Sequence, residues 1–133
     1  MILRTLSIKM FNANKLIQAF IAISGVFSVL FGAWLSHGAT HLPEASIQSL
    51  STAIQYQLFH TVALLSLFVW YNRSPQKQLL ISICLMILGM CLFSGGIYIK
   101  YLTSLHGLTQ FIPLGGISLA LAWGVLIIQG KSS

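Results

Sequence analysis

The sequence predicts an all-α integral membrane protein, a four-helix bundle with both termini in the cytoplasm. Three observations carry this. Four apolar stretches, 16–36, 52–71, 79–99 and 111–129, contain no acidic residue. Each has the ~20 residues that an α-helix rising ~1.5 Å per residue needs to cross a hydrocarbon core ~30 Å thick. Only 6% of the 133 residues are charged and 56% are hydrophobic, with a mean hydropathy of +0.88. A soluble domain carries ~25% charged residues, so an aqueous surface could not be covered with this set. The third observation is where the charges sit: Arg4, Lys9, Lys15, Arg73, Lys77 and Lys131 all lie in the tails or in one loop.

That distribution sets the topology. The segment before Leu16, the loop between spans two and three and the C-terminal end hold the basic residues, whereas the other two loops offer only Glu44, with Lys100 at an edge. Basic residues stay on the cytoplasmic side, and an even number of spans returns both ends to it. The same placement answers the net charge of +6: these are topology determinants, and no nucleic-acid partner is expected. The expectation is one membrane domain over residues 1–133, retained as a multi-pass inner-membrane protein. The first span's apolar run exceeds the 7–15 residues of a signal-peptide core and three more spans follow.

Each element has its own signals. Asn12 and Asn14 are candidate N-caps for span one. In the loop 39–51, Pro43 and Glu44 have the chemistry of a first helical turn, and Ile47, Leu50 and Ile54 follow at helical spacing. A short interfacial helix running into span two is expected there. Asn72-Arg73-Ser74-Pro75 is a turn signal between spans two and three. Cys84 and Cys91, seven residues apart in span three, are ~10 Å apart along a helix and too far for a disulfide. They read as buried thiols without chemistry.

Small residues mark the expected helix contacts. Ser24, Ser28 and Gly32 recur every four residues in span one, span three has Gly95-Gly96, and span four has Gly115-Gly116 and Gly124. Such stripes let backbones approach in lipid, where hydrophobicity gives helices no drive to associate. They serve packing within the chain or, on the sharper reading, a homo-oligomer.

Polar groups concentrate in the outer half of the spans. His60 lies roughly 10 Å inside the apolar layer, Gln57 and Tyr56 sit one turn above it, Ser94 reaches a similar depth, and His37 ends span one. An ionisable residue within a membrane span is a functional candidate by default. The bland alternative is a neutral histidine acting as interhelical glue worth about 1 kcal/mol.

Four segments recur together in a known family: Phe31-Gly32-Ala33-Trp34-Leu35-Ser36-His37-Gly38, Tyr56-Gln57-Leu58-Phe59-His60-Thr61, Leu92-Phe93-Ser94-Gly95-Gly96-Ile97-Tyr98, and Pro113-Leu114-Gly115-Gly116 with Ala122-Trp123. The chain resembles the YgdD-like family, a domain-of-unknown-function family of small four-span bacterial inner-membrane proteins. The resemblance runs from Leu16 to Gln129 and implies a fold and a location. In one place the chain departs from it: Leu35 stands where the family's Gly-Ala-x-Gly-x-His motif has its second glycine.

Two function classes remain from the residues. One is a structural or accessory protein in contact with the bilayer and a membrane partner. The other is a passive channel or homodimeric carrier for a small solute or ion, using the layer around His60. A proton-coupled exporter needs an intramembrane carboxylate, which the spans lack. An enzyme is the least favoured class, with no nucleophile–base–orienter set and only His37 and His60 placed for a zinc that takes three ligands. Neither a metal nor any other cofactor is expected.

Overall fold

The structure, a computed structural model, describes residues 1–131; Ser132 and Ser133 lie outside them. Four helices are long and apolar enough to cross a membrane. α1 is Ile2–His37, α2 is Glu44–Arg73, α3 is Lys77–Leu102 and α4 is Ile112–Val125, which is preceded by a 3₁₀ turn at Thr109–Phe111 and extended by another at Leu126–Lys131. At ~2.0 Å per residue a 3₁₀ turn gains more length than an α turn, so these two pieces let a short α4 reach across the bilayer core.

One boundary differs from the sequence expectation. α1 starts at Ile2, fourteen residues before the predicted span, because neither Gly nor Pro interrupts the chain before Gly25. Asn12 and Asn14 therefore lie within the helix, and the Asn14 amide instead donates to Asn72 Oδ1 at 3.0 Å, tying α1 to the end of α2. The expected interfacial helix is continuous with span two: Pro43 is the residue before α2, with Glu44 in its first turn.

Consecutive helices pack on each other, so α2 and α3 hold the middle and α1 and α4 the two edges. One core cluster gathers Leu64, Leu79, Ile83 and Met86 with Leu119 and Ala122 of α4. A second, where α1 ends and α2 begins, joins Leu35, Ala39, Leu50, Ala53 and Ile97. Leu35, the residue that departs from the family motif, thus fills a core position.

The closest approach is between α3 and α4. A Cβ on Gly115 would land on the backbone nitrogen of Phe93 and 2.8 Å from the carbonyl carbon of Leu92. One on Gly89 would meet Leu119 Cγ at 2.6 Å and its backbone nitrogen at 2.9 Å, and one on Gly96 would meet Ile112 Cγ1 at 2.6 Å. Reciprocal hydroxyls reinforce this pair: Ser82 Oγ donates to Ala122 O and Ser118 Oγ to Leu85 O, each at 2.7 Å. In the 3₁₀ extension of α4, the Gln129 amide donates to Gln76 Oε1.

The small-residue expectation is redistributed. Gly115 and Gly96 make tight contacts, and Gly89 joins them. Gly116 has only ordinary contact with Phe93 at 3.8 Å, and Gly95 and Gly124 face open space. Gly124 is off the interface because α4 turns Ser118, Leu119 and Ala122 toward α3 and leaves Trp123 and Gly124 outside. In α1, Gly32 lies 3.8 Å from Ile54, while Ser24 and Ser28 are buried. Cys84 and Cys91 are exposed on the outside of α3, contrary to the buried reading, because Leu79, Ser82, Ile83, Met86 and Met90 take its inner face.

Candidate functional site

The predicted outer polar layer resolves into two separate clusters on different sides of α2, plus one isolated bond. The first cluster lies among α1, α2 and α3. Gln57, on the inner side of α2, donates from Nε2 to Ser24 Oγ at 3.0 Å, and its Oε1 accepts from the Tyr98 hydroxyl at 2.6 Å. Ser24 Oγ also lies 2.7 Å from Thr61 Oγ1, whose hydroxyl is within 2.6 Å of Gln57 O. Both ends of the Gln57 amide are therefore engaged, as a buried carboxamide in a low-dielectric interior requires. Phe27 and Phe31 of α1 close over this cluster, each with a ring edge-on to Tyr98 at 5.2–5.4 Å.

The second cluster lies between α2 and α4. His60 is 5% exposed. Its Nδ1 lies 2.7 Å from Tyr56 O one turn earlier, and its Nε2 accepts the indole N–H of Trp123 at 3.1 Å. The two bonds fix the ring chemically. Nε2 accepts, so the proton is on Nδ1, where it meets a carbonyl; the imidazole is neutral with both nitrogens satisfied. Rings surround it: Tyr56 stacks at 6.0 Å, Phe59 is edge-on at 5.5 Å, and Tyr56 in turn tilts against Phe93 at 4.8 Å. These groups line a groove of about 650 Å³ that opens on the outside of the bundle.

The remaining predicted residues go elsewhere. Ser94 does not reach His60; its hydroxyl donates to Ala53 O at 2.8 Å and pins α3 to α2. His37 is exposed at the end of α1 and joins neither cluster. Of the five polar-layer candidates, then, Gln57 anchors one cluster, Tyr56 and His60 form the other, and Ser94 and His37 stand apart. Among the described residues, no three His, Cys, Asp or Glu side chains converge as a metal set would.

Sequence reasoning missed several participants, Thr61 of the first cluster among them. Trp123 enters the sequence reading only within a family segment, yet it is the donor to His60; a tryptophan N–H in an apolar layer needs an acceptor, and that demand was the available signal. Tyr98 likewise enters only within a family segment, but its hydroxyl points inward and donates to Gln57. Ser24 reads as a small contact residue, whereas its hydroxyl is the hub of the first cluster.

Comparison with known proteins follows the same residues. The profile of a family described as a protein of unknown function, DUF423, matches residues 31–116, which include Gln57, His60, Ser94 and Gly115. The chain belongs to this family. A UPF0382 membrane protein of Haemophilus influenzae is 33% identical over 104 residues, 77% of this chain and 83% of the relative. The UPF0382 inner membrane protein YgdD of Escherichia coli is 31% identical over 116 residues, covering 86% of this chain and 88% of its own. A UPF0382 membrane protein of Schizosaccharomyces pombe is 33% identical over 80% of this chain and 94% of its own. No solved structure matches. The DUF423 chain described here is thus an integral membrane protein of the YgdD-like family, and Trp123 lies outside the matched segment.

Proposed function

We propose that the chain is an accessory protein of the inner membrane, a rigid four-helix bundle that supports a membrane partner, with both termini in the cytoplasm. One observation supports this most: the buried polar side chains of all four helices are spent on bonds between and within those helices. Ser24, Gln57, Thr61, Ser82, Ser94, Ser118 and the His60–Trp123 pair each find their partner inside the bundle. Groups satisfied in this way hold helices together in lipid. A passive pore through one copy needs a lumen, and Leu50, Leu64, Leu79, Ile83 and Met86 are fully buried where it would run. The inner-membrane location is carried over from the Escherichia coli relative, an inner membrane protein by name, and the orientation follows the basic residues at Arg4, Lys9, Lys15, Arg73 and Lys77.

Two experiments test this reading. Crosslinking in intact membranes followed by purification should recover one defined membrane protein in near-equal amount. Recovery of the bundle alone, together with solute flux in protein-containing vesicles, would reverse the choice in favour of the pore. For orientation, single cysteines at Thr40 and Ser74 in a background lacking Cys84 and Cys91 should label from opposite sides, Ser74 from the cytoplasm. Labelling of Ser74 from outside would invert the topology.

A further inference from the structure

The first turns of α1 extend past the bundle. The helix runs 36 residues, Ile2–His37, which is about 54 Å at ~1.5 Å per residue, against a hydrocarbon core ~30 Å thick. The Asn14–Asn72 bond marks where it leaves its neighbours, at the end of α2. Every residue before Asn14 is exposed, Ile2, Leu3, Leu6, Ile8, Met10 and Phe11 among them. Along this arm Leu3, Leu6, Met10 and Ala13 recur at three- and four-residue spacing, a stripe that continues into Ile17. Ile8 alone of the large apolar residues lies opposite it. Arg4, Lys9 and Lys15 lie off the stripe with no acidic residue among them, and the Lys15 ammonium sits over the Phe11 ring at 4.4 Å. Arg73 and Lys77 stand at the same end of the bundle.

We propose that residues 2–13 are an arm that lies on an anionic phospholipid surface, with Leu3, Leu6 and Met10 in the headgroup–acyl boundary and the basic side chains on lipid phosphates. Charge decides the occupant. An amphipathic helix whose only charges are Lys and Arg has the pattern of interfacial helices, and each cation near an anionic leaflet strengthens the attachment. A second copy fits less well. The stripe has the spacing of a coiled-coil seam, but it covers barely two heptads where such pairing needs three or four. Two copies would also bring basic residues together with no carboxylate between them. An acidic partner protein would match the charge, but the bilayer is joined to the arm through the same helix and is therefore the surface at the highest local concentration. Lying down requires α1 to bend between arm and span. Asn12 stands there, beside the pinned Asn14, a residue of low helix propensity whose carboxamide can take up a backbone group freed by the bend. The inference does not depend on the accessory role, and it rests on the cytoplasmic placement of the termini only for which leaflet the arm covers.

The experiment places the full-length protein, in a background lacking Cys84 and Cys91, in nanodiscs of phosphatidylcholine alone or mixed with phosphatidylglycerol. Both faces of a nanodisc carry the same lipid, so an inverted topology leaves the result unchanged. Nitroxide labels go on Met10→Cys, within the stripe, and on Thr5→Cys, outside it. With phosphatidylglycerol present, the Met10 label should be reached by oxygen and shielded from a water-soluble nickel chelate, while the Thr5 label stays open to nickel. In phosphatidylcholine alone the Met10 label should return to water. Arg4→Gln with Lys9→Gln should weaken the lipid-bound state roughly fivefold per residue, the value of one surface cation. Both positions lie outside the bundle, so an unshifted melting temperature checks the fold. A Met10 label open to nickel in phosphatidylglycerol would leave the arm in water. Equal shielding in both lipids, or in the charge variant, would remove the role of charge. Dipolar broadening that disappears on dilution with unlabelled protein would assign the stripe to a second copy. Each of these outcomes overturns the proposal.

Discussion

The two edge helices are attached by opposite means. α4 lies against α3 almost backbone to backbone, through Gly89, Gly96 and Gly115, with two hydroxyl-to-carbonyl bonds across the contact. α1 makes no such approach. A Cβ on Gly25 would meet nothing within 4 Å, and one on Gly32 only Ile54 at 3.8 Å. What holds α1 is side-chain bonding, through Ser24 to Thr61 and Gln57, and Asn14 to Asn72. Lipid is as apolar as a leucine side chain, so burying apolar surface gives neither edge a reason to associate. One edge gains by dense van der Waals contact and the other by polar groups that hydrocarbon cannot satisfy. The difference has a practical consequence: the α3–α4 contact is steric and brittle, whereas the α1–α2 contact is made of separable bonds.

The largest effect should therefore come from adding atoms at Gly115. A methyl there meets the Leu92–Phe93 peptide bond, which cannot rotate away as a flexible side chain can. Gly115→Ala should destabilise by about 1–3 kcal/mol, and Gly115→Leu should prevent normal folding. Melting temperature and yield in detergent measure both. A Gly115→Leu protein that melts like the parent would show that α4 is not packed as described.

At the other edge, Gln57→Leu removes three partners at once, Ser24, the Ser24 carbonyl and Tyr98. The expected cost is smaller, about 1–2 kcal/mol, because interhelical hydrogen bonds in membranes average about 0.6 kcal/mol and reach about 1.7. Ser24→Ala should cost less than Gln57→Leu. The double variant should cost less than the sum, since the two residues share a bond. Additivity in that cycle would show that the Ser24–Gln57 bond contributes nothing.

These differences explain what could be read from the residues. The four helices were legible because hydropathy over ~20 residues is a one-dimensional signal, and the family segments reinforce it. The rotation of each helix was not. Every helix here is apolar on most faces, so the moment that points a soluble helix toward its core is weak. That is why Gly95, Gly116 and Gly124 read as contact residues alongside Gly96 and Gly115, although only the latter two are tightly packed. It is also why Cys84 and Cys91 read as buried. Counting residues along the spans put His60, Gln57 and Ser94 in one layer, yet Ser94 bonds to Ala53 O, seven residues before His60 on α2. Azimuth was not legible either, and it sends the three to different partners.

His60 sharpens the comparison because it joins neither edge by packing: it bridges α2 to α4 through one bond to Trp123 at 3.1 Å. His60→Leu should destabilise by about 0.5–1.5 kcal/mol, leaving the Trp123 N–H without its acceptor. His60→Gln should recover much of this, since an amide oxygen can accept from the indole. Trp123→Phe should match His60→Leu, and the double variant should add little to either. A fully additive pair, read from unfolding in mixed detergent, would break the assignment of that bond.

The smallest effect is expected at Gly124. It differs from Gly115 in one respect that matters, what surrounds it. A Cβ at Gly124 meets nothing within 4 Å, and the residue is exposed on the outer side of α4. Gly124→Leu should therefore leave melting unchanged or raise it by a fraction of a kcal/mol, because leucine is a better helix former than glycine by roughly 0.7–1 kcal/mol in an exposed helix. Placed beside Gly115→Leu, this variant carries the same added volume in the same helix and differs only in azimuth. If the two variants lose stability equally, side-chain bulk anywhere on α4 is intolerable and the steric account of the α3–α4 contact fails. If Gly124→Leu is neutral in the monomer but abolishes a homo-oligomer seen by crosslinking, the outer face of α4 is a contact between copies. The stripe of Gly116, Ala120 and Gly124 would then serve a second chain instead of α3.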